Sequence, residues 1–389
     1  MSKPIYLSAK EAATELGVQP TTLYAYVSRG LISSVAGSGK QRRYDAGDVR
    51  RLKGRKSSEE PTGTRPLTGD PVLETELTLI SKDGPIYRGQ SALDLAETSS
   101  LETVATLLWG CEENPFAEKP PAAPPMMPDG LGPLERLMMA LSAWPLQDRA
   151  AYTQAPALLQ KKGAGLLRYG VAVLLGTEPG DAPVHTQIAQ AFGISEKSKK
   201  LIRAALVLSA DHELNTSAFA ARCAASTRAP LHAALLSGLG AFTGPRHGAA
   251  SGRVSAWVAD IDPKTDVESL ISDRLSRGEA LPGFGHSIYG DRDPRADWLL
   301  NALILSEPDH EFVRKLPAFL SAGEELYGQF PNIDFALAIL QKTYQLPDDS
   351  GKVLFCAGRI VGWIAHALEQ YAAQEQIRPR ATYVGLRPD

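Results

Sequence analysis

Residues 281–300 read LPGFGHSIYGDRDPRADWLL. His286 stands in a loop with Gly283 and Gly285, and the triplet Asp293-Pro294-Arg295 opens a helix shortly after. Aspartate before a helix accepts hydrogen bonds from the first amides, and proline suits the first helical residue. A cation in that first turn is opposed by the helix dipole, so Arg295 calls for an anion. A bound carboxylate meets that need, and the helix N-terminal amides favour the same ligand. The glycines permit close backbone approach beside His286. GFG is not a dinucleotide fingerprint, because no strand precedes it and its third glycine is misplaced.

Two other histidines sit among turn-forming or polar residues: His247 in GPRHG and His212 in SADHELNTSA. PNIDFALAIL puts Asp334 near a helix start, where acidic residues are common for dipole reasons alone. His185, His232, His310 and His366 stand in helical contexts without companions and read as structural or surface residues. Cys111, Cys223 and Cys356 are odd in number and far apart, so neither a disulfide framework nor a metal-binding pair is expected.

Taken in order, DHE…S, GPxHG, PGFGHxxYxxxDPRA, PNxDF and GRxVGWxAH…RPR form a specific series. From about residue 69 to its C-terminus the chain resembles the citrate synthase family, and YRGQSALDLAE and ETVATLLWG fit as well. The resemblance implies an almost wholly helical fold with a large and a small domain, an active site in the cleft, and a dimer. It implies condensation of acetyl-CoA with oxaloacetate, then hydrolysis to citrate and CoA. By the family pattern Asp334 is the base, His247 hydrogen-bonds the thioester oxygen, and His286 polarises the ketone. Arg295, Arg359 and Arg378 hold carboxylates with His212 as a further donor, and Arg378 reaches the neighbouring subunit's site. The thioester is a substrate, and neither a metal nor another cofactor is implied.

The family's GPxHGGAN is GPRHGAASG here, with Ala249 for glycine and Ser251 for the usual asparagine. Gly290 stands where many members carry a basic residue near the CoA phosphates, with Arg292 two residues on as a substitute. These departures bear on CoA affinity and on the thioester used. Propionyl-CoA, giving 2-methylcitrate, is an alternative, since one methylene is worth only ~1–3 kcal/mol of discrimination.

The elements that must position these residues follow from punctuation. An apolar share of 43% and a charged share of 22% are ordinary globular composition. No apolar run reaches the ~18 residues of a membrane span and no leader pattern opens the chain, so a cytoplasmic protein is expected. The net charge of −3 hides an asymmetry: residues 1–56 carry +7, leaving −10 on the rest. A basic head on an acidic body implies different partners.

In the head, Ser8 and Glu11 form a capping box, Gly17 stops that helix, and Pro20 starts a second that ends at Gly30. A hairpin wing about Ser38-Gly39 follows, and Asp45 caps a third helix. GSGK at 37–40 is not a phosphate loop, since Ser34 and Gln41 break the pattern. The run xxEAAxxLGVxxxTLYxYxxRGLI with RRYDAGDVRRL resembles the MerR/excisionase type of winged helix-turn-helix domain. That resemblance implies double-stranded DNA as a partner. Gln19, Thr21, Thr22 and Tyr24 would face a groove, and Arg29, Lys40, Arg42 and Arg43 would meet phosphates.

The expected organisation is a head over 1–56, a linker over 57–68 and a body over 69–389. Within the body, a large domain takes 69–255 and 361–389, and a small domain takes 256–360. The body is expected to be all-α with one N-terminal β-hairpin turning at Asp83-Gly84, and Ser99 with Glu102 is expected to cap LETVATLLW. Three functions fit: a citrate synthase with an appended head, a 2-methylcitrate synthase, and a transcription regulator whose synthase-like body senses metabolites.

Overall fold

The computed structural model describes residues 6–16, 18, 20–28, 30–37, 42–46, 48–49, 52, 73–196, 198–290, 292–379 and 385. The chain divides into two compact units, 1–74 and 75–389. The expected linker lies outside the described residues.

The first unit opens with β1 (Tyr6–Ser8), α1 (Ala9–Leu16) and α2 (Pro20–Ser28). The capping box forms: Ser8 N–H donates to Glu11 Oε2 at 2.8 Å, and Glu11 N–H to Ser8 Oγ at 3.3 Å. Gly30, at φ +71°, ends α2, and Leu31 N–H closes back onto the Tyr26 carbonyl at 2.9 Å. β2 (Ser34–Ala36) and β3 (Arg42–Asp45) make the antiparallel wing, and β1 pairs on the other edge of β3. Asp45 accepts from Asp48 N–H at 3.0 Å, the expected cap. Ala12, Leu16, Leu23, Ile32, Tyr44 and Val49 fill a small core.

The second unit is mostly helical. β4 (Thr78–Ser81), β5 (Gly84–Tyr87) and β6 (Gln90–Ser91) form its meander. Ser81 pairs with Gly84, so the turn residues are Lys82-Asp83, one earlier than expected. Gly84 is in the strand, at φ +116°. Next come α3 (Ala92–Thr98) and α4 (Leu101–Leu108). The cap of α4 is Ser100, which accepts from Thr103 N–H at 3.1 Å, and not Ser99. Glu102 instead accepts from Val184 N–H at 2.6 Å, so tertiary packing took the expected box partner.

The remaining helices are α5 (Pro133–Ala143), α6 (Pro156–Leu175), α7 (Val184–Ala191), α8 (Lys199–Ser209), α9 (Thr216–Ser226) and α10 (Leu231–Phe242). They continue with α11 (Ala250–Ala259), α12 (Val267–Ser276), α13 (Pro294–Ser306), α14 (Leu316–Ala322), α15 (Ile333–Thr343) and α16 (Ser350–Ala373). The proline-rich stretch over 115–132 is irregular, as its composition requires.

α16 organises the unit. It is long and apolar enough to cross a membrane, but 89% of its apolar window is buried inside the protein. Two of its glycines set the packing against the end of α8. A Cβ on Gly358 would lie 2.6 Å from the Leu206 carbonyl oxygen, and one on Gly362 would lie 2.5 Å from that of Ala210. Gly362 N–H donates to the Ala210 carbonyl at 3.1 Å, and Arg359, between the two glycines, donates Nε–H to Ser209 O at 3.0 Å. Side chains on α16 therefore meet the residues just beyond α8, where His212 stands.

Candidate active site

Three irregular segments bring the candidate residues together. The loop with His286 pairs with the segment before α15: Gly285 N–H donates to Phe330 O, and Asn332 N–H to Gly283 O, both at 2.8 Å. Gly283 and Gly285 adopt φ +78° and +84°. A Cβ on Gly283 would approach Phe335 Cβ to 2.9 Å, so both the fold of the loop and its closeness require glycine. This pairing ties His286 to the start of the helix that carries Asp334.

Asp293 caps α13 and Pro294 begins it, as expected. The anion beside Arg295, however, belongs to the chain. Arg295 donates Nε–H to Asp293 Oδ1 at 2.9 Å and Nη2–H to Oδ2 at 2.8 Å, with both side chains buried. Burial opposes the arginine charge, but the Asp293 carboxylate outweighs it and holds the guanidinium pKa above its ordinary value. The Nη1 edge lies outside this pair. Asp293 Oδ2 also accepts from Ile333 N–H at 3.0 Å, so one carboxylate joins α13 to α15.

His286 Nδ1 accepts from the backbone N–H groups of Ile288 (3.2 Å) and Tyr289 (3.4 Å), which places the ring proton on Nε2. Nε2 lies 3.3 Å from Arg295 Nη2. Both then carry protons, so this is convergence of two donors on one spot. Burial, then the Arg295 charge, holds the His286 pKa down at about 4. His212 is buried, 3.0 Å through Nε2 from the Tyr289 hydroxyl, with its ring edge-on to His286 at 5.2 Å. Burial and then Arg295 push its pKa well below the imidazole value.

His247 Nε2 lies 2.7 Å from Ser217 Oγ, and burial followed by the Arg359 charge lowers its pKa to about 4. Asp334, in the first turn of α15, accepts a hydrogen bond at Oδ1 from Ser251 Oγ. Burial raises its pKa to about 6, although the Ser251 bond and then the Arg295 charge pull the other way. Arg359 is 1% exposed. Burial lowers its pKa, countered first by Asp211.

His212, His247, His286, Arg295, Asp334 and Arg359 thus surround one region, as neutral imidazoles, two buried cations and a carboxylate of raised basicity. Arg378 is exposed beyond α16, and no hydrogen bond or ion pair joins it to this cluster among the described residues. Arg292, the expected stand-in for a basic residue near CoA, is taken up by the chain. It pairs with Glu324 at 3.2 Å and stacks over the Phe330 ring at 3.9 Å.

In the head, Tyr24, Arg42 and Arg43 are exposed and Thr22 is partly buried. Gln19, Arg29, Lys40 and the side chain of Thr21 lie outside the described residues. Among the described residues no three His, Cys, Asp or Glu side chains form a metal-binding group.

Sequence reading passed over Tyr289, Ser217 and the Asp293–Arg295 pair. Tyr289 and Asp293 stand inside the motif around His286, and Ser217 closes the motif after His212. Their types were visible, but their partners were not.

Comparison with known proteins identifies the family. The citrate synthase C-terminal domain family matches residues 122–380, and a helix-turn-helix domain family matches residues 6–57. Citrate synthase 2 of Bacillus subtilis is 30% identical over 83% of this chain and 96% of its own length. A 2-methylcitrate synthase of Shewanella oneidensis is 29% identical over 83% of this chain and 95% of its own. The crystal structure of citrate synthase from Thermotoga maritima superposes with a TM-score of 0.67 at 25% identity, covering 84% of this chain and 97% of that one. The chain belongs to the citrate synthase family of acyltransferases and carries a helix-turn-helix domain at its N-terminus.

Proposed function

We propose that the body condenses the methyl group of acetyl-CoA with the ketone of oxaloacetate and hydrolyses the thioester to citrate and CoA. The observation that carries this reading is the convergence of Asp334 with two neutral histidines and two buried arginines. A thioester α-proton is weakly acidic. Asp334, at about 6, is ionised at neutral pH yet more basic than an ordinary carboxylate, which suits it to take that proton. The charge that moves onto the thioester oxygen needs a donor, and His247 serves. Ser217 Oγ, whose proton points to Asn215 Oδ1, lies beside His247 Nε2; rotation of that hydroxyl onto Nε2 leaves the His247 proton on Nδ1, where it can be given to that oxygen.

His286 carries its proton on Nε2 beside Arg295. It hydrogen-bonds the ketone oxygen and delivers the proton as the alkoxide forms. Arg295, through its uncommitted edge, and Arg359 hold the two carboxylates of oxaloacetate, with His212 as a further donor. Arg378 completes the site of the partner subunit in a homodimer. Closure of a small domain (256–360) on a large one (69–255 and 361–389) excludes water during the carbanion step. The scheme uses no metal or other cofactor.

The +7 head, with its helix-turn-helix and exposed Arg42 and Arg43, binds double-stranded DNA. A dimer presents two heads to half-sites about one helical turn apart. Metabolite sensing by a regulator is compatible with turnover. Propionyl-CoA is the second reading of the body, supported by the 2-methylcitrate synthase relative, whose identity is nearly that of the citrate synthase relative.

Thiol release from acetyl-CoA and from propionyl-CoA, each with and without oxaloacetate, tests the reaction. Release that depends on oxaloacetate is expected, and the preferred thioester names the product. Absence of release with both thioesters, with oxaloacetate still raising the melting temperature, would leave the sensor reading.

A further inference from the structure

Ser251 lies on α11, four residues after His247, where the family pattern has asparagine. It is 1% exposed, and its hydroxyl donates to Asp334 Oδ1. The Asp334 backbone N–H is already held by Asn332 Oδ1 at 3.0 Å. No hydrogen bond among the described residues engages Oδ2. One carboxylate oxygen is therefore held and the other is left for substrate.

We propose that Ser251 is the positioning residue for the base: it pins Oδ1 so that Oδ2 takes the α-proton, and it favours the ionised carboxylate. This rests on the reading of Asp334 as the base. The terminal torsion of aspartate is broad and two-fold, so without a fixed donor its oxygens exchange roles. A hydroxyl donating to a carboxylate stabilises the charged form, which burial disfavours. The charged groups that face Asp334 are Arg295 and Asp293 from the start of α13 and Arg359 from α16. None of them donates a hydrogen bond to Asp334, which leaves Ser251 as its side-chain donor among the described residues. His247 and His286 titrate near 4, well below Asp334, so they do not obscure its limb.

The test compares the full-length protein with Ser251→Ala and Ser251→Cys across the pH range. Losing a hydrogen bond to a charged group should lower kcat roughly 10-fold in Ser251→Ala. Ser251→Cys keeps the shape and a weaker donor and should fall about 3-fold. The acid limb of kcat should move up by about one pH unit in Ser251→Ala and by less in Ser251→Cys. KM for both substrates should hold within about twofold, because Ser251 pins the base without touching substrate.

An unmoved limb, or a cysteine variant as impaired as the alanine variant, overturns the proposal. Difference infrared titration of the Asp334 carboxyl reads the same shift without turnover, and an unchanged titration overturns it equally. Asp334→Asn separates the two readings. Full activity in that variant removes Asp334 as the base. Its inactivity, with an unmoved Ser251→Ala limb, removes only the role of Ser251.

Discussion

Arg295 and Asp293 face each other across a single proline and form a buried two-point ion pair, at 2.9 and 2.8 Å. The same aspartate caps α13 through Arg295 N–H and receives Ile333 N–H from the start of α15. It therefore neutralises the arginine, starts one helix and docks another. The dipole penalty for a cation in the first turn is met inside the chain, and the Arg295 guanidinium is held in a fixed orientation.

Asp293→Ala should destabilise the protein by about 3–5 kcal/mol, the cost of leaving a buried charge unpaired. Urea unfolding measures this directly. Asp293→Asn keeps a cap but loses the charge, so it should be milder in stability while still raising KM for oxaloacetate. An unfolding midpoint unaffected by either change would mean that the pair contributes nothing.

Tyr289 links two of the histidines: its hydroxyl is 3.0 Å from His212 Nε2 and its ring lies 4.8 Å from that of His286. Burial raises its pKa to about 12, so it stays a neutral hydrogen-bonding group. Tyr289→Phe should raise KM for oxaloacetate about 5-fold through loss of one neutral hydrogen bond, with kcat changed less. Steady-state kinetics with oxaloacetate as the varied substrate would show it, and an unchanged KM would detach His212 from substrate binding.

Stability should fall as pH drops from about 6.5 to about 4. His247 and His286 hold folded pKa values of about 4, whereas unfolded histidine lies near 6.5. Between those values the unfolded chain binds more protons, so acid favours unfolding. Asp334 has the opposite sign: its folded value of about 6 exceeds the unfolded value near 3.9, so its contribution grows as pH falls through 6. These two histidines, with His212 shifted in the same direction, outweigh the one aspartate and leave a net loss. Melting temperatures across this range should fall, less steeply for His247→Gln and more steeply for Asp334→Asn. A flat wild-type profile would contradict the assignment of neutral, buried imidazoles.

Arg42→Ala and Arg43→Ala in the wing should weaken duplex binding across all sequences. Each should reduce the salt dependence of log K by about one unit of slope, as loss of a phosphate contact does. Binding titrations at several salt concentrations give the slope. A slope equal to that of the unaltered protein would place these arginines away from the phosphates.

The sequence by itself determined the local punctuation. The Ser8–Glu11 box, the Gly30 stop, the Asp45 cap and the Asp293-Pro294 start each depend on hydrogen bonds that close within a few residues, so their chemistry is written in adjacent letters. The ordered motifs likewise named His247, His286 and Asp334 before any geometry. Even local signals failed where two neighbours competed: Ser100 displaced Ser99 as the cap of α4 once Glu102 was drawn to Val184. The hairpin turn moved one residue because strand pairing, and not the Asp-Gly dipeptide, set the register.

Only the tertiary structure decided which atoms meet. Ser251 and Asp334 are 83 residues apart, and His212 and Tyr289 are 77 apart. Those contacts depend on how α11 packs against α15, and on the loop after α8 lying against the loop before α13. Close approach at Gly358 and Gly362 sets the loop after α8 against α16, and the short backbone pairing of Gly285 with Phe330 fixes the loop before α13. A residue's type is local information, whereas its partner, its protonation and its burial are properties of the packed whole.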